Sequence, residues 1–206
     1  LRRAWEAEHG PGSVVGLAPS AVAAQVLADD LGIATENTAK WWEVHQRTGQ
    51  TFRTGQLVIV DEASLAGTLS LDRITALAAE AGAKVLLVGD YAQLQSVDAG
   101  GAFSLLVHDR GDAPELVDVH RFVNPWEKTA SLGLRHGHTE VIDTYMEHGR
   151  VTGGETEAMI DAAYTAWRTD TVAGRATVLV TDSNESVREL NQRARTDLIL
   201  DGTIGG

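Results

Sequence analysis

No cysteine occurs among the 206 residues, so neither a disulfide framework nor a thiolate metal site is available. No stretch approaches the ~20 continuous apolar residues that a membrane span requires. The opening residues LRRAWEAEHG lack the apolar run of a signal peptide and read instead as the C-terminal half of an amphipathic helix. Together these absences make a soluble, cytoplasmic protein the expectation. Positive charge is also scarce: 17 Lys and Arg stand against 29 Asp and Glu, a formal net charge of -12. A dedicated basic nucleic-acid-binding module is therefore disfavoured, because neutralising phosphates needs clustered cations. An enzyme that holds a strand in one local channel is not. Seven histidines are scattered, and the close pair His136 and His138 lacks a companion at zinc-ligand spacing.

What the chain does have is apolar material, 43% of its residues, arranged as short runs alternating with helical patterns. That alternation is the mark of an α/β protein with a parallel sheet. Strands are expected at Ser13–Leu17, Leu57–Val60 and Lys84–Val88, with a short fourth at Glu115–Val119. Helices are expected from Ser20 through about Leu31, at Thr38–His45, Ser70–Ala81, Pro125–Arg135 and Glu140–His148. A glycine pair within Val151–Glu155 marks a break. Beyond it the pattern predicts a helix at Glu157–Arg168, a strand at Thr177–Thr181 and a helix at Ser186–Leu200. The first three strands should lie parallel, gathering Ser20, Asp61, Glu62 and Gln93 around one crevice at their C-terminal ends.

The chemistry is concentrated where these strands end. LVIV, residues 57–60, runs directly into Asp61 and Glu62, and carboxylates at the end of a buried strand are costly unless they serve something. An apolar strand ending in Asp-Glu has the shape of a Walker B motif. There the first acid holds Mg²⁺ and the second takes a proton from the attacking water. A plain strand-to-loop junction with solvated acids is the alternative. The following strand, in KVLLVGDYAQLQSV, places Gly89, Asp90 and Gln93 at a neighbouring end. A glutamine there can hydrogen-bond a γ-phosphate or its water, and two such clusters count against a mere turn. Arg121, beyond the fourth expected strand, can clamp developing phosphate charge. Trp41 and Trp42 offer a stacking surface for bases, but helical spacing beside Val44 favours core for at least one. Ser20 either binds a phosphate or caps the helix it opens, and the two are compatible.

The ordered set APSAVAA, VIVDEAS, LVGDYAQLQSVDAGGAF and ELVDVHRF…PWE…LR resembles superfamily 1 DNA helicases of the RecD-like branch. It is most similar to the helicase part of conjugative relaxases of the TraI/TrwC type, over nearly the whole chain. The resemblance implies a RecA-like P-loop NTPase domain at 1–150, then a linker and the start of a second RecA-like domain at 151–206. By the resemblance, Ala18, Pro19 and Ser20 fall in motif Ia, which touches the DNA backbone. Asp61 (metal and nucleotide) and Glu62 (catalytic) form motif II. Gly89, Asp90 and Gln93 form motif III, with Asp90 and Gln93 on the nucleotide, and Arg121 is the motif IV arginine. Mg²⁺ and ATP are the implied cofactors. Single-stranded DNA and other proteins of the conjugation machinery are the implied partners.

The sequence departs from that pattern in one respect. It contains no GxxxxGK[ST], the loop whose amides and lysine cradle phosphates. Lys40 precedes Trp41, Lys84 precedes Val85, and Lys128-Thr129 follows Glu127 with no glycine loop. The expectation is that this loop lies upstream of Leu1 and that both ends of the chain are truncated. The fragment itself is then expected to be inactive. A RecD-like repair helicase and a non-catalytic, helicase-derived DNA-binding or assembly module are the competing readings.

Overall fold

The computed structural model describes every residue except 94–100, 117–121 and 206. The chain forms two compact units, Leu1–Asp118 and Val119–Gly206.

The first unit is built on a four-stranded, wholly parallel sheet of order β2-β1-β3-β4 among the described residues. The strands are β1 (Val14–Ala18), β2 (Ala34–Asn37), β3 (Leu57–Val60) and β4 (Lys84–Leu87). Helices α1 (Arg2–His9), α2 (Ala21–Leu31), α3 (Thr38–Thr48), α4 (Thr68–Ala81) and α5 (Ala102–Arg110) surround them. The three apolar strands are thus adjacent and parallel as the pattern requires, with Val15 opposite Val58 and Val58 opposite Val85.

β3 is buried along its whole length, so its side chains serve two cores on opposite faces. Val58 and Val60 join Leu17, Phe52, Leu71, Ile74, Ala78 and Phe103 in the larger one. Leu57 and Ile59 join Val14 and Ile33 in the smaller, where Trp5 and Leu31 close the periphery. Trp41 packs against the larger core, its ring stacked on Phe52 at 4.5 Å. Trp42 is half-buried beneath the Arg73 guanidinium, 4.7 Å from the ring centre.

Local chemistry explains the helix ends. The Ser20 hydroxyl accepts from the Ala23 amide (3.1 Å), and the Asn37 side chain accepts from the amides of Ala39 and Lys40. Each such cap contributes about 1 kcal/mol. α2 and α3 stop at Gly32 and Gly49, both left-handed.

Three differences from the sequence pattern have physical causes. β2 (ATEN) carries no apolar signal, because it is an edge strand held by backbone pairing to β1. α5 was hidden because Leu105 and Leu106 are 69% and 51% exposed, leaving Phe103 as its buried residue. The expected strand Thr177–Thr181 does not form. Val178 and Val180 stand 84% and 82% exposed and no partner strand exists among the described residues of its unit, so its backbone has nothing to pair with. The expected fourth strand is absent at Glu115 and Leu116, and the remainder of Glu115–Val119 lies outside the described residues.

The second unit contains α6 (Pro125–Arg135), α7 (Val141–Glu147), α8 (Thr156–Val172) and α9 (Asn184–Leu200). α6 and α7 approach so closely that a Cβ on Gly133 would lie 2.6 Å from Val141 Cγ1. Trp126 stacks on His148 at 3.9 Å, and Glu127 accepts from Arg150 at 3.0 Å. α8 and α9 are tied by Tyr164, which donates to Asp197 at 2.6 Å beneath the Arg193 guanidinium. Burial chiefly, and then Asp197, raises the Tyr164 pKa, so the phenol stays a donor.

Gly16 tests the packing of the smaller face. A Cβ there would sit 2.6 Å from Thr35 Oγ1 and 2.9 Å from Leu27 Cδ2. Gly16→Ala should therefore lower unfolding stability by about 1–3 kcal/mol in a urea titration.

Candidate functional site

Because β1, β3 and β4 are parallel, the segments following them emerge along one edge of the sheet. In open α/β sheets that edge is where ligands bind. The ladder continues past the strands and fixes what comes next. The Asp61 amide donates to Leu17 O (2.9 Å), the Val88 amide to Val60 O (2.8 Å) and the Ala63 amide to Val88 O (2.8 Å). The acidic loop is thereby stitched to β1 on one side and to the exit of β4 on the other.

Gly89 completes this junction. A Cβ on it would lie 3.0 Å from the Ala63 amide nitrogen, 3.1 Å from that of Ser64 and 3.4 Å from the Phe103 ring. Two of these neighbours are backbone and cannot rotate away. The glycine is favoured by close approach rather than by φ.

Glu62 is the sole non-glycine residue with positive φ (49°, ψ 43°) among the described residues. A left-handed glutamate costs about 1 kcal/mol or more and persists only where its surroundings impose it. Here a short 3₁₀ turn, Ala63–Leu65, begins directly after it and is anchored by the Ala63–Val88 bond. Asp61 and Glu62 are both half-buried, and neither carboxylate has a hydrogen bond or ion pair among the described residues. Two adjacent, partly desolvated acids with no counter-charge among the described residues raise the cost of this loop.

Asp61 also borders a groove of about 780 Å³ between α1 and α2, floored by Ile59, Leu86 and Val88. Arg2, Arg3, Glu6 and Asp30 line its rim. Glu6 is fixed there by the Gly12 amide (3.0 Å) and Arg2 (2.9 Å), which hold its carboxyl below the usual range, the amide most strongly. Arg2 additionally reaches the Leu31 carbonyl.

The remaining expected site residues are only partly assembled. Asp90 folds its own turn, accepting from the Ala92 amide (3.0 Å) and from Gln93 Nε2 (3.3 Å). Gln93 is exposed and engaged with Asp90. Ala18 is fully buried, its carbonyl accepting from Thr38 Oγ1 (3.0 Å), and the Pro19 carbonyl accepts from Asn37 Nδ2 (3.1 Å). Ser20 is exposed with its hydroxyl capping α2. It follows β1 at the same edge, but it does not line the groove that Asp61 borders, and neither do Glu62 and Gln93. Arg121 lies outside the described residues. No cluster of three or more His, Asp or Glu fit to hold a metal occurs among the described residues.

The family called AAA domain matches residues 1–156. The chain belongs to that family. Across almost its full length it is also similar to three curated proteins. The "Probable conjugal transfer protein TraA" of Sinorhizobium fredii is 34% identical over 206 residues, 98% of this chain and 18% of that protein. The "Conjugal transfer protein TraA" of Rhizobium radiobacter is 31% identical over 207 residues, 99% of this chain and 18% of that protein. Its namesake from Agrobacterium fabrum matches to the same extent. The chain thus spans about a fifth of the length of the curated relatives it matches. The parallel α/β unit described above is what a RecA-like P-loop NTPase domain of this family should show.

Two features of the site escaped sequence reasoning. The left-handed conformation of Glu62 has no signal in an Asp-Glu pair. The burial of Ser64 was equally illegible, since a serine after DEA reads as solvated.

The strain at Glu62 is measurable. Glu62→Gly should hold or raise stability by up to about 1 kcal/mol, whereas a β-branched Glu62→Val should lower it. Chemical denaturation of the two variants distinguishes imposed strain from a comfortable turn.

Proposed function

We propose that this chain is part of the motor of an ATP-dependent DNA helicase or translocase, the helicase part of a conjugative relaxase. The observation that carries the proposal is the junction of β3 and β4, where two unpaired, half-buried acids are stitched to a Gly-Asp-x-x-Gln turn by backbone contacts. AAA domain membership and the similarity to conjugal transfer proteins support the same reading. Residues 1–150 are the first RecA-like domain, and 151–206 are a linker and the beginning of a second.

The donor set fits the cofactor. Mg²⁺ keeps several waters and is held by one or two carboxylates together with substrate phosphates. Asp61, with no cluster of three metal-ligating residues among the described residues, suits a nucleotide-borne Mg²⁺ rather than a free-standing metal site. Bound there, Mg²⁺ neutralises phosphate charge. Asp61 would hold it, Glu62 would accept a proton from water, and Asp90 and Gln93 would contact the nucleotide, Gln93 responding to its state. Arg121 stabilises charge developing on the transferred phosphoryl group. Ala18, Pro19 and Ser20 form the contact to single-stranded DNA, with Ser20 offering its amide and hydroxyl at the start of α2. Other proteins of the conjugation machinery are the further partners proposed.

Without a phosphate cradle the acids have no positioned phosphate to act on, and most of the orientational and electrostatic advantage is lost. The 206-residue chain should not hydrolyse ATP. A longer chain carrying GxxxxGK[ST] ahead of Leu1 and the rest of the second domain should, with stimulation by DNA. In it, Glu62→Gln should reduce turnover by about a hundredfold or more while keeping Mg²⁺-ATP binding, and Arg121→Ala should slow it comparably. A phosphate-release assay decides. Strong activity from the 206 residues alone, or full activity of Glu62→Gln, refutes the assignment, and an inactive longer chain favours a non-catalytic module.

DNA affinity gives a separate check. With a net charge of -12, the 206-residue chain should bind single strands weakly, with a Kd of about 10–100 µM at physiological salt and steep weakening as salt rises. Tight, salt-insensitive binding in an anisotropy titration would point to a dedicated binding module instead.

A further inference from the structure

Helix α1 forms one wall of the groove that Asp61 borders, yet none of its residues is buried. Trp5, its largest side chain, is half-buried at the periphery of the smaller core. The placement of α1 therefore leans on polar ties. Trp5 Nε1 donates to Gly55 O (3.0 Å), and Glu6 accepts from the Gly12 amide (3.0 Å) just ahead of β1. Arg2 supplies the tie that joins the two walls of the groove. Its Nε donates to Glu6 (2.9 Å) and its Nη1 to the carbonyl of Leu31, the last residue of α2. The final carbonyls of a helix lack intrahelical partners and carry the negative end of its dipole, so a guanidinium suits that position. Gly32 leaves the space for it, since a Cβ there would lie 2.7 Å from Arg2 Nη1. A planar fork of donors can serve a carboxylate and a carbonyl at once, whereas a lysine ammonium is a single point.

We propose that Arg2 is a positioning residue which, by bridging Glu6 of α1 and Leu31 of α2, fixes the first turn of α1 relative to Asp61. Arg2 and Arg3 of that turn line the same groove as Asp61, so a shift of α1 against α2 alters their separation. The ion pair with Glu6 is partly exposed, and such pairs add little to stability. The consequence of the bridge is therefore geometric. The inference rests on the nucleotide-site reading above. In a longer chain carrying GxxxxGK[ST] ahead of Leu1, α1 is the helix that continues from that loop, and its tilt sets where phosphates lie relative to Asp61 and Glu62. Arg2 touches neither nucleotide nor metal in this scheme.

The test compares Arg2→Met, Arg2→Lys and Glu6→Ala by two readouts. In the 206-residue chain, hydrogen exchange of the α1 amides should quicken about tenfold in Arg2→Met while that of β3 stays unchanged. The melting temperature should fall by no more than about 4 °C. In the longer chain, assayed well below its melting transition, Arg2→Met should lower kcat for ATP about tenfold or more and leave KM within about twofold. Glu6→Ala should do the same, and the double variant should be no worse than either alone, because both changes break one bridge. Arg2→Lys should recover only part of kcat. Unchanged α1 exchange, unchanged kcat, additive losses or full recovery with lysine each overturns the proposal. If the unsubstituted longer chain hydrolyses no ATP, the nucleotide-site reading fails and the proposal with it. The exchange readout, which needs no nucleotide, separates that outcome from a bridge that does not hold α1.

Discussion

The site depends on one close approach of backbone to backbone. After β4 the chain turns at Gly89 directly against the amides of Ala63 and Ser64, where a Cβ would lie only 3.0 and 3.1 Å from two backbone nitrogens. The Ala63 amide, already donating to Val88 O, cannot back away without breaking the ladder. This contact fixes the start of the 3₁₀ turn, and the start of that turn holds Glu62 left-handed. Strain at the glutamate, burial of Ser64 and the placing of Asp90 all follow from where two neighbouring strands end. A parallel ladder is well suited to this, since it delivers successive strand ends to the same edge in register.

The energetics explain why such an arrangement persists in a chain with little stability to spare. A left-handed non-glycine residue, and a buried hydroxyl and two half-buried acids that lack partners among the described residues, each oppose folding. They are tolerated because β3 lies between two cores and is buried throughout. The acids are placed at the end of the strand best able to bear their cost.

Much of the first unit was legible because its central strands are runs of Val, Ile and Leu that need burial on both faces. Leu57–Val60 was found to the residue. Caps at Ser20 and Asn37 carry local signals and mark their helices well. What was illegible depended on partners. β2 is polar and exists because β1 has an edge to fill, and α5 buries little besides Phe103. Thr177–Thr181 shows the converse. Its alternation is genuine, with Val178 and Val180 facing out and Leu179 half-buried, yet among the described residues no strand pairs with it. Of the site, residue identities and their shared edge were readable. The internal bonding of Gln93 to Asp90 was not, because it depends on a turn closing on itself.

β4 raises the same question of partners at the edge of the sheet. Among the described residues it pairs with β3 alone, although KVLLV has the composition of an interior strand. Val85, Leu86 and Leu87 are only half-buried, and Val88 is 40% exposed. Proteins usually guard such an edge with charge, proline or a bulge, and here Lys84 at the start of the strand is the one charged residue on it. The apolar groove floored by Ile59, Leu86 and Val88 opens beside this strand and is bordered by Asp61. Among the described residues, the free edge of β4 and this groove thus lie on the two strands whose ends carry Asp61 and Gly89.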